Sequence, residues 1–123
     1  MIVPFRKDES FLADVRNARQ DPDTVHIWWL GQSGFLVHRN QRFLLLDPYL
    51  SDSLTKKYAS TDKPHVRMTE RVIAPEALNF IDIVTSSHNH TAEAGAQMRG
   101  DFIANGIERV GHPVEGVGLL RIV

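Results

Sequence analysis

The stretch VHIWWLGQSGFLVHRNQRFLLLDPYLS, residues 25–51, constrains the fold of this chain more than any other part of its sequence. Its apolar runs are separated by GQSG at 31–34 and by NQ at 40–41, which favour tight turns. This spacing predicts three short antiparallel strands joined as hairpins. The run FLLL at 43–46 is apolar at every position, so we expect its strand to be covered on both sides, and DP at 47–48 ends it.

The segments that flank these strands predict a mixed α/β domain. Residues 10–20 carry apolar side chains at helical spacing behind Ser10, which predicts a helix capped by that serine. Residues 51–70 are polar and irregular and predict a long loop. Residues 75–78 predict a helical turn, 81–85 a buried strand and 92–104 a weak helix, and the last 13 residues predict a turn and a final strand.

Composition favours one soluble domain over residues 1–123, since 42% of the residues are apolar and support a modest core. The formal net charge of −1 gives no general attraction to nucleic acid or to anionic membranes, so we expect neither as a partner. The chain has no cysteine, which excludes disulfides and thiolate metal ligands. Neither a signal peptide nor an apolar run of roughly 20 residues is apparent, and we expect a cytoplasmic protein.

Two histidines directly after the predicted strand at 81–85 are the first candidates for chemistry. In extended backbone, residues i and i+2 point to the same side, so His88 and His90 can reach one cation. Neutral imidazole binds zinc, manganese or iron, but a catalytic zinc usually has about three protein ligands. The pair alone is therefore weak evidence for a metal site, and an ordinary polar loop is the alternative.

Three stretches, in this order, resemble the metallo-β-lactamase superfamily. They are GQSGFLV at 31–37, LLLDPYLSDS at 44–53 and IDIVTSSHNHT at 81–91. The branch to which they are most similar is that of the ascorbate-6-phosphate-lactonase-like metal-dependent hydrolases. The resemblance covers residues 25–91. It implies a partial metallo-β-lactamase-like αββα sandwich, with an antiparallel or mixed sheet and flanking helices.

The resemblance also implies roles for individual residues. His88 and His90 match the first two ligands of the family's metal site, and Asp47 matches an aspartate that orients the ligand loop by hydrogen bonds. The implied cofactor is one or two ions of zinc or manganese, with iron as a further option. The implied function is metal-dependent hydrolysis of a lactone, an ester or a phosphorylated small molecule.

The sequence departs from the family pattern directly after Thr91. The pattern His-x-His-x-Asp-His would place aspartate at 92 and histidine at 93, whereas this chain has Ala92 and Glu93. In the family that aspartate binds the second metal and positions the attacking water, so we expect weak or absent activity. The candidates for additional metal ligands are Glu93, His65 and His112. A truncation, or an internal deletion after Thr91, would explain the incomplete motif.

Two other classes of function stay open. A half-domain of this fold leaves a sheet face and an edge uncovered, which predicts a catalytically inactive domain that binds a partner or forms a homo-oligomer. The third hypothesis is a metal-independent hydrolase that uses Ser33, His88 and Asp47. A glycine-rich hairpin turn explains Ser33 better, because the sequence around it lacks the pattern of a nucleophile elbow.

The remaining polar and aromatic side chains have plainer interpretations. We interpret His26 and His38 as surface histidines, and His65 as exposed and inert unless it completes the metal site. His112 has the same standing as His65. Trp28 and Trp29 point to opposite faces of a strand, so we expect one of them in the core. The loop cations are expected to be solvated, with attraction of an anionic substrate as the alternative: Lys56, Lys57, Lys63 and Arg67.

Overall fold

The chain has a mixed α/β fold in a computed structural model that describes residues 1–86, 107–108 and 118–122. Among these residues there are helices α1 (Glu9–Ala18) and α2 (Ser53–Tyr58), a 3-10 helix (Pro75–Ala77) and one sheet with the strand order β1-β2-β3-β4-β6-β5. In chain order the strands are β1 (His26–Trp29), β2 (Phe35–Arg39), β3 (Arg42–Leu46), β4 (Ile83–Ser86), β5 (Ile107–Glu108) and β6 (Gly118–Ile122). The helix predicted at 92–104 lies outside the described residues.

The predicted hairpins are confirmed. β1 pairs with β2 so that Trp29 lies opposite Phe35, and β2 pairs with β3 so that Phe35 lies opposite Leu46. The second turn has Asn40 at φ 50° and Gln41 at φ 60°, which are the left-handed values of a tight hairpin turn. Both connections are short, so local sequence sets the register of all three strands.

A parallel pair joins this meander to β4. Leu44 lies opposite Ile83, and the Asp82 carboxylate accepts hydrogen bonds from the backbone N–H of Phe43 (2.7 Å) and from the Arg42 guanidinium (2.8 Å). The strand predicted at 81–85 is thus confirmed, although it begins two residues later. The predicted final strand is β6, which pairs antiparallel with β4.

One face of the sheet carries the hydrophobic core. Leu36 and Leu45 are fully buried there against Phe11 and Val15, which recur at helical spacing on α1. The Ser10 side chain does not cap this helix, because its hydroxyl donates to the Lys7 carbonyl (2.7 Å) and accepts from the Lys7 N–H (2.9 Å). Loops complete the core with Leu30, Leu50, Val72, Ile73, Leu78 and Ile81.

The opposite face of the sheet, which we call the outer face, is also apolar but is incompletely covered. Its side chains form two rows across β1 to β4, namely Ile27, Val37, Leu44 and Ile83, and Trp29, Phe35, Leu46 and Thr85. Ile27 is 63% exposed, Trp29 54% and Phe35 43%. The expectation that β3 is covered on both sides holds fully for the core face and only in part for the outer face, where Leu44 and Leu46 are half-buried. Trp28 packs against the core, as expected for one of the two tryptophans.

The long loop predicted at 51–70 contains the short helix α2. The prediction that Arg67 in this loop is solvated is wrong. Arg67 is 7% exposed, and its guanidinium donates to the carbonyls of Thr69 (2.8 Å), Tyr49 (3.0 Å) and Ser51 (3.2 Å). The fork of an arginine suits this task because it presents several donors in one plane. Arg67 thereby ties the chain after β3 to the segment that precedes the core residues at 72–73.

The interpretation of His38 as a surface residue is also wrong. His38 is 0% exposed on the core face of β2, between the rings of His26 (5.7 Å between centroids) and Phe43 (4.5 Å). Neither ring nitrogen has a hydrogen-bond partner. Burial lowers the pKa of His38, nearby His26 and Arg19 lower it further, and Asp21 opposes them. The polar neighbours in the sequence therefore did not predict the environment of this side chain.

We predict that acid destabilises the fold through His38. The unfolded chain has an ordinary histidine pKa near 6.5 and takes up the proton first as the pH falls, so the free energy of unfolding falls below about pH 6.5. One proton gives a slope of up to about 1.4 kcal/mol per pH unit. His38→Leu should flatten this slope in urea unfolding between about pH 5 and 7. An unchanged slope in His38→Leu would contradict the assignment.

Among the described residues, no helix combines the length and the apolar character that crossing a bilayer requires.

Candidate functional site

The carboxyl ends of β3 and β4 lie side by side at one edge of the sheet. Leu46 is opposite Thr85 in the parallel pair, and both strands end within one residue of this position. The backbone N–H of Asp47 continues the pairing, since it lies 3.2 Å from the Thr85 carbonyl oxygen and 3.4 Å from the Thr85 hydroxyl. In open α/β sheets, ligands bind outside the carboxyl ends of parallel strands, and β3 and β4 form one such parallel pair.

Asp47 leaves β3 through a left-handed turn. Its φ is 41°, a conformation that aspartate and asparagine tolerate better than most residues. The residue is half-buried, and Pro48, Tyr49 and Leu50 behind it are buried. The carboxylate of Asp47 is therefore carried by a backbone that is fixed on both sides, as a group that orients ligands requires.

Gly34 brings the first hairpin turn against the backbone of Asp47. At φ 92°, its ideal Cβ position would lie 2.7 Å from Pro48 Cα and 2.8 Å from the Asp47 carbonyl oxygen. Gly31, at φ 76°, packs in the same way against the Thr69 hydroxyl. The two glycines of GQSG thus let the hairpin turn approach other parts of the chain closely. Gly34 contacts the turn after β3, and Gly31 contacts Thr69. The Ser33 side chain is exposed in this turn.

His65 is placed differently from the expectation of an exposed, inert side chain. It is half-buried, its Nδ1 lies 3.3 Å from the Thr55 hydroxyl of α2, and its ring meets the Tyr49 ring edge-on at 5.4 Å. Because Tyr49 follows Asp47 by two residues, His65 packs against the segment that leaves β3. The lysines 56, 57 and 63 are exposed, as expected for solvated cations.

The described residues do not bring together a complete set of metal ligands. No group of three or more histidine, aspartate or glutamate side chains is positioned to hold a metal ion in the part of the chain that the structure describes. His88, His90, Glu93 and His112 all lie outside it, as does the junction after Thr91. Of the predicted site residues, Asp47 and His65 are therefore the two whose surroundings are known.

Comparison with known proteins finds no matching family model, no matching curated protein and no matching solved structure.

Proposed function

We propose that this chain is a metal-dependent hydrolase of the metallo-β-lactamase type, with an incomplete metal site and weak activity. The observation that carries the proposal is the adjacency of the carboxyl ends of β3 and β4, with Asp47 tied to Thr85. The sequence places His88 and His90 two and four residues after the end of β4. The αββα sandwich that the resemblance implies and a cytoplasmic location belong to the same proposal.

The donor types that the sequence offers suit zinc or manganese, with iron as a further option. Imidazole and carboxylate are ligands that these ions accept, and the chain has no thiolate to compete. His88 and His90 would hold the ion, with Glu93, His65 or His112 as further ligands. A bound ion of this kind lowers the pKa of water and polarises a carbonyl or phosphoryl group. Asp47 would orient an imidazole by accepting its N–H, and the substrate would be a lactone, an ester or a phosphorylated small molecule.

A test of the proposal is the metal content of untagged protein, measured by plasma mass spectrometry. We expect zinc, manganese or iron to co-purify with the chain, and we expect His88→Ala/His90→Ala to remove it. A content close to one ion per chain would mean that Glu93, His65, His112 or a second chain completes the site. His26→Ala is the matched control, because it removes a histidine that contacts Asp21 and not the ends of β3 and β4. If the unaltered protein contains no more metal than the double variant, the metal site is refuted.

The role of Asp47 has its own prediction. Asp47→Asn keeps a residue that tolerates positive φ, removes the negative charge and replaces one acceptor oxygen by an NH2 donor. We expect this change to weaken metal affinity by roughly 10- to 100-fold, as the loss of a supporting carboxylate does elsewhere. Competition with a chelator of known affinity measures the effect. Equal affinities would assign Asp47 a purely structural role.

The second candidate is a catalytically inactive domain that binds a partner or forms a homo-oligomer. The outer face favours this candidate, because its apolar side chains Ile27, Trp29 and Phe35 are exposed to solvent. Large exposed apolar patches are typical of interaction surfaces. Metal content separates the two candidates, because only the hydrolase requires the ion.

A further inference from the structure

An apolar groove continues the outer face beyond the edge of the sheet. Its lining includes Ile2, Val3 and Phe5 from the N-terminal segment and Ile27 and Trp29 from β1, around a volume of about 430 Å³. The N-terminal segment is held in place because Ile2 donates its N–H to the Met68 carbonyl (2.8 Å) and accepts from the Glu70 N–H (2.9 Å). Phe35 lies opposite Trp29 on β2. We call the apolar surface formed by Ile2, Val3, Phe5, Ile27, Trp29 and Phe35 the edge patch.

We propose that the edge patch is the contact surface of a homodimer, in which Phe5 of each copy enters the groove of the other. Phe5 is 97% exposed and stands beside a groove of apolar side chains. A two-fold interface uses the same patch on both subunits, so a protruding ring next to an apolar groove is complementary to its own copy. The groove falls in the size range of pockets that enclose small ligands, and it has room for a phenyl ring.

The apolar area of the edge patch lies at the lower end of what a stable dimer interface buries. Aromatic side chains bury 150–250 Å² each when covered, so Phe5, Trp29 and Phe35 at their observed exposure offer roughly 350 Å². The three aliphatic side chains add roughly 250 Å². A standard stable interface buries about 800 Å² per partner, and neighbouring Val25, which is 48% exposed, enlarges the patch toward this value.

Charge favours a second copy over a charged partner. Every side chain of the edge patch is apolar, and the cation at its rim, Arg6, lies 3.5 Å from the Asp14 carboxylate. Recruitment of nucleic acid or anionic lipid depends on clustered cations that this surface does not provide. The formal net charge of −1 leaves little repulsion between two copies. The proposal does not depend on metal binding.

The test is sedimentation velocity of the full chain from about 1 to about 100 µM, with zinc and with chelator. We expect a species of twice 13.9 kDa at the upper end in both conditions. Phe5→Ser and Ile27→Lys should each weaken association by at least about 10-fold, because each removes apolar area from the patch. Both side chains are exposed, so the far-ultraviolet circular dichroism should not change. Val66→Ser, at a side chain 65% exposed and not part of the edge patch, should associate as the unaltered chain does.

Three outcomes would overturn the proposal. A monomer at every concentration would show that the patch is covered by a small ligand or by another segment of the chain. Association that survives both Phe5→Ser and Ile27→Lys would place the interface elsewhere. Association that requires zinc would show that shared metal ligands, rather than the edge patch, hold the copies together. A chelator-resistant dimer in a protein that binds no metal would support the dimer and refute the hydrolase.

Discussion

Gly34→Ala is expected to lower the free energy of unfolding by at least about 3 kcal/mol, because two penalties add at this position. The residue has φ 92°, where side chains other than glycine are strained. The new methyl group would also lie 2.7 to 2.9 Å from the backbone of residues 46–48. Backbone atoms cannot turn away as the end of a side chain can, so the turn after β3 must move.

The midpoint and slope of urea unfolding measure this effect. Domains of this size have only about 5–15 kcal/mol of stability, so the variant should melt far earlier or fail to accumulate. Ser33→Ala is the matched control in the same turn, and it should stay within about 0.5 kcal/mol because that side chain is exposed. It also tests the hypothesis of a nucleophilic Ser33, since any hydrolase activity should persist. A Gly34→Ala protein as stable as Ser33→Ala would contradict the close approach.

Arg67→Ala is expected to cost about 3 kcal/mol or more. The change leaves the carbonyls of Tyr49, Ser51 and Thr69 without the guanidinium that binds them. For the two buried contacts, those to Tyr49 and Thr69, the loss of the partner costs about 1–3 kcal/mol each. The cation over the Tyr49 ring, at 4.9 Å from its centroid, is lost as well. The loss should also reach His65, whose ring packs against the same tyrosine.

Two further variants make this prediction specific. Arg67→Lys keeps the charge but not the planar fork, so we expect it to recover less than half of the lost stability. Arg71→Ala removes an exposed arginine four residues away and should change the free energy of unfolding by about 0.5 kcal/mol or less. Equal effects of Arg67→Ala and Arg71→Ala would show that the three carbonyl contacts add no stability.

The elements that the sequence predicted well depend on local signals. Both hairpins follow from turn residues placed between apolar runs, and the position of Asp47 at a strand end follows from the proline after it. The burial of His38 and Arg67 was not predictable in this way, because distant segments cover them. The pairing of β3 with β4 was not predictable from the sequence either, because no local signal indicates that two strands separated by 36 residues are neighbours. Of the predicted site, the two histidines stay a prediction.

The long connection between β3 and β4 has a consequence for the order of folding. The hairpins of β1, β2 and β3 close loops of a few residues, which takes microseconds. Pairing Leu46 with Thr85 requires ordering of the whole segment between them, and closure of a long loop is slower because more conformational freedom is lost. Because β3 precedes β4 in the chain, the hairpins form during synthesis before β4 has been made. In that interval the unpaired edge of β3 is available to other strands. The contacts of Arg67 within this segment shorten the loop that remains to be closed.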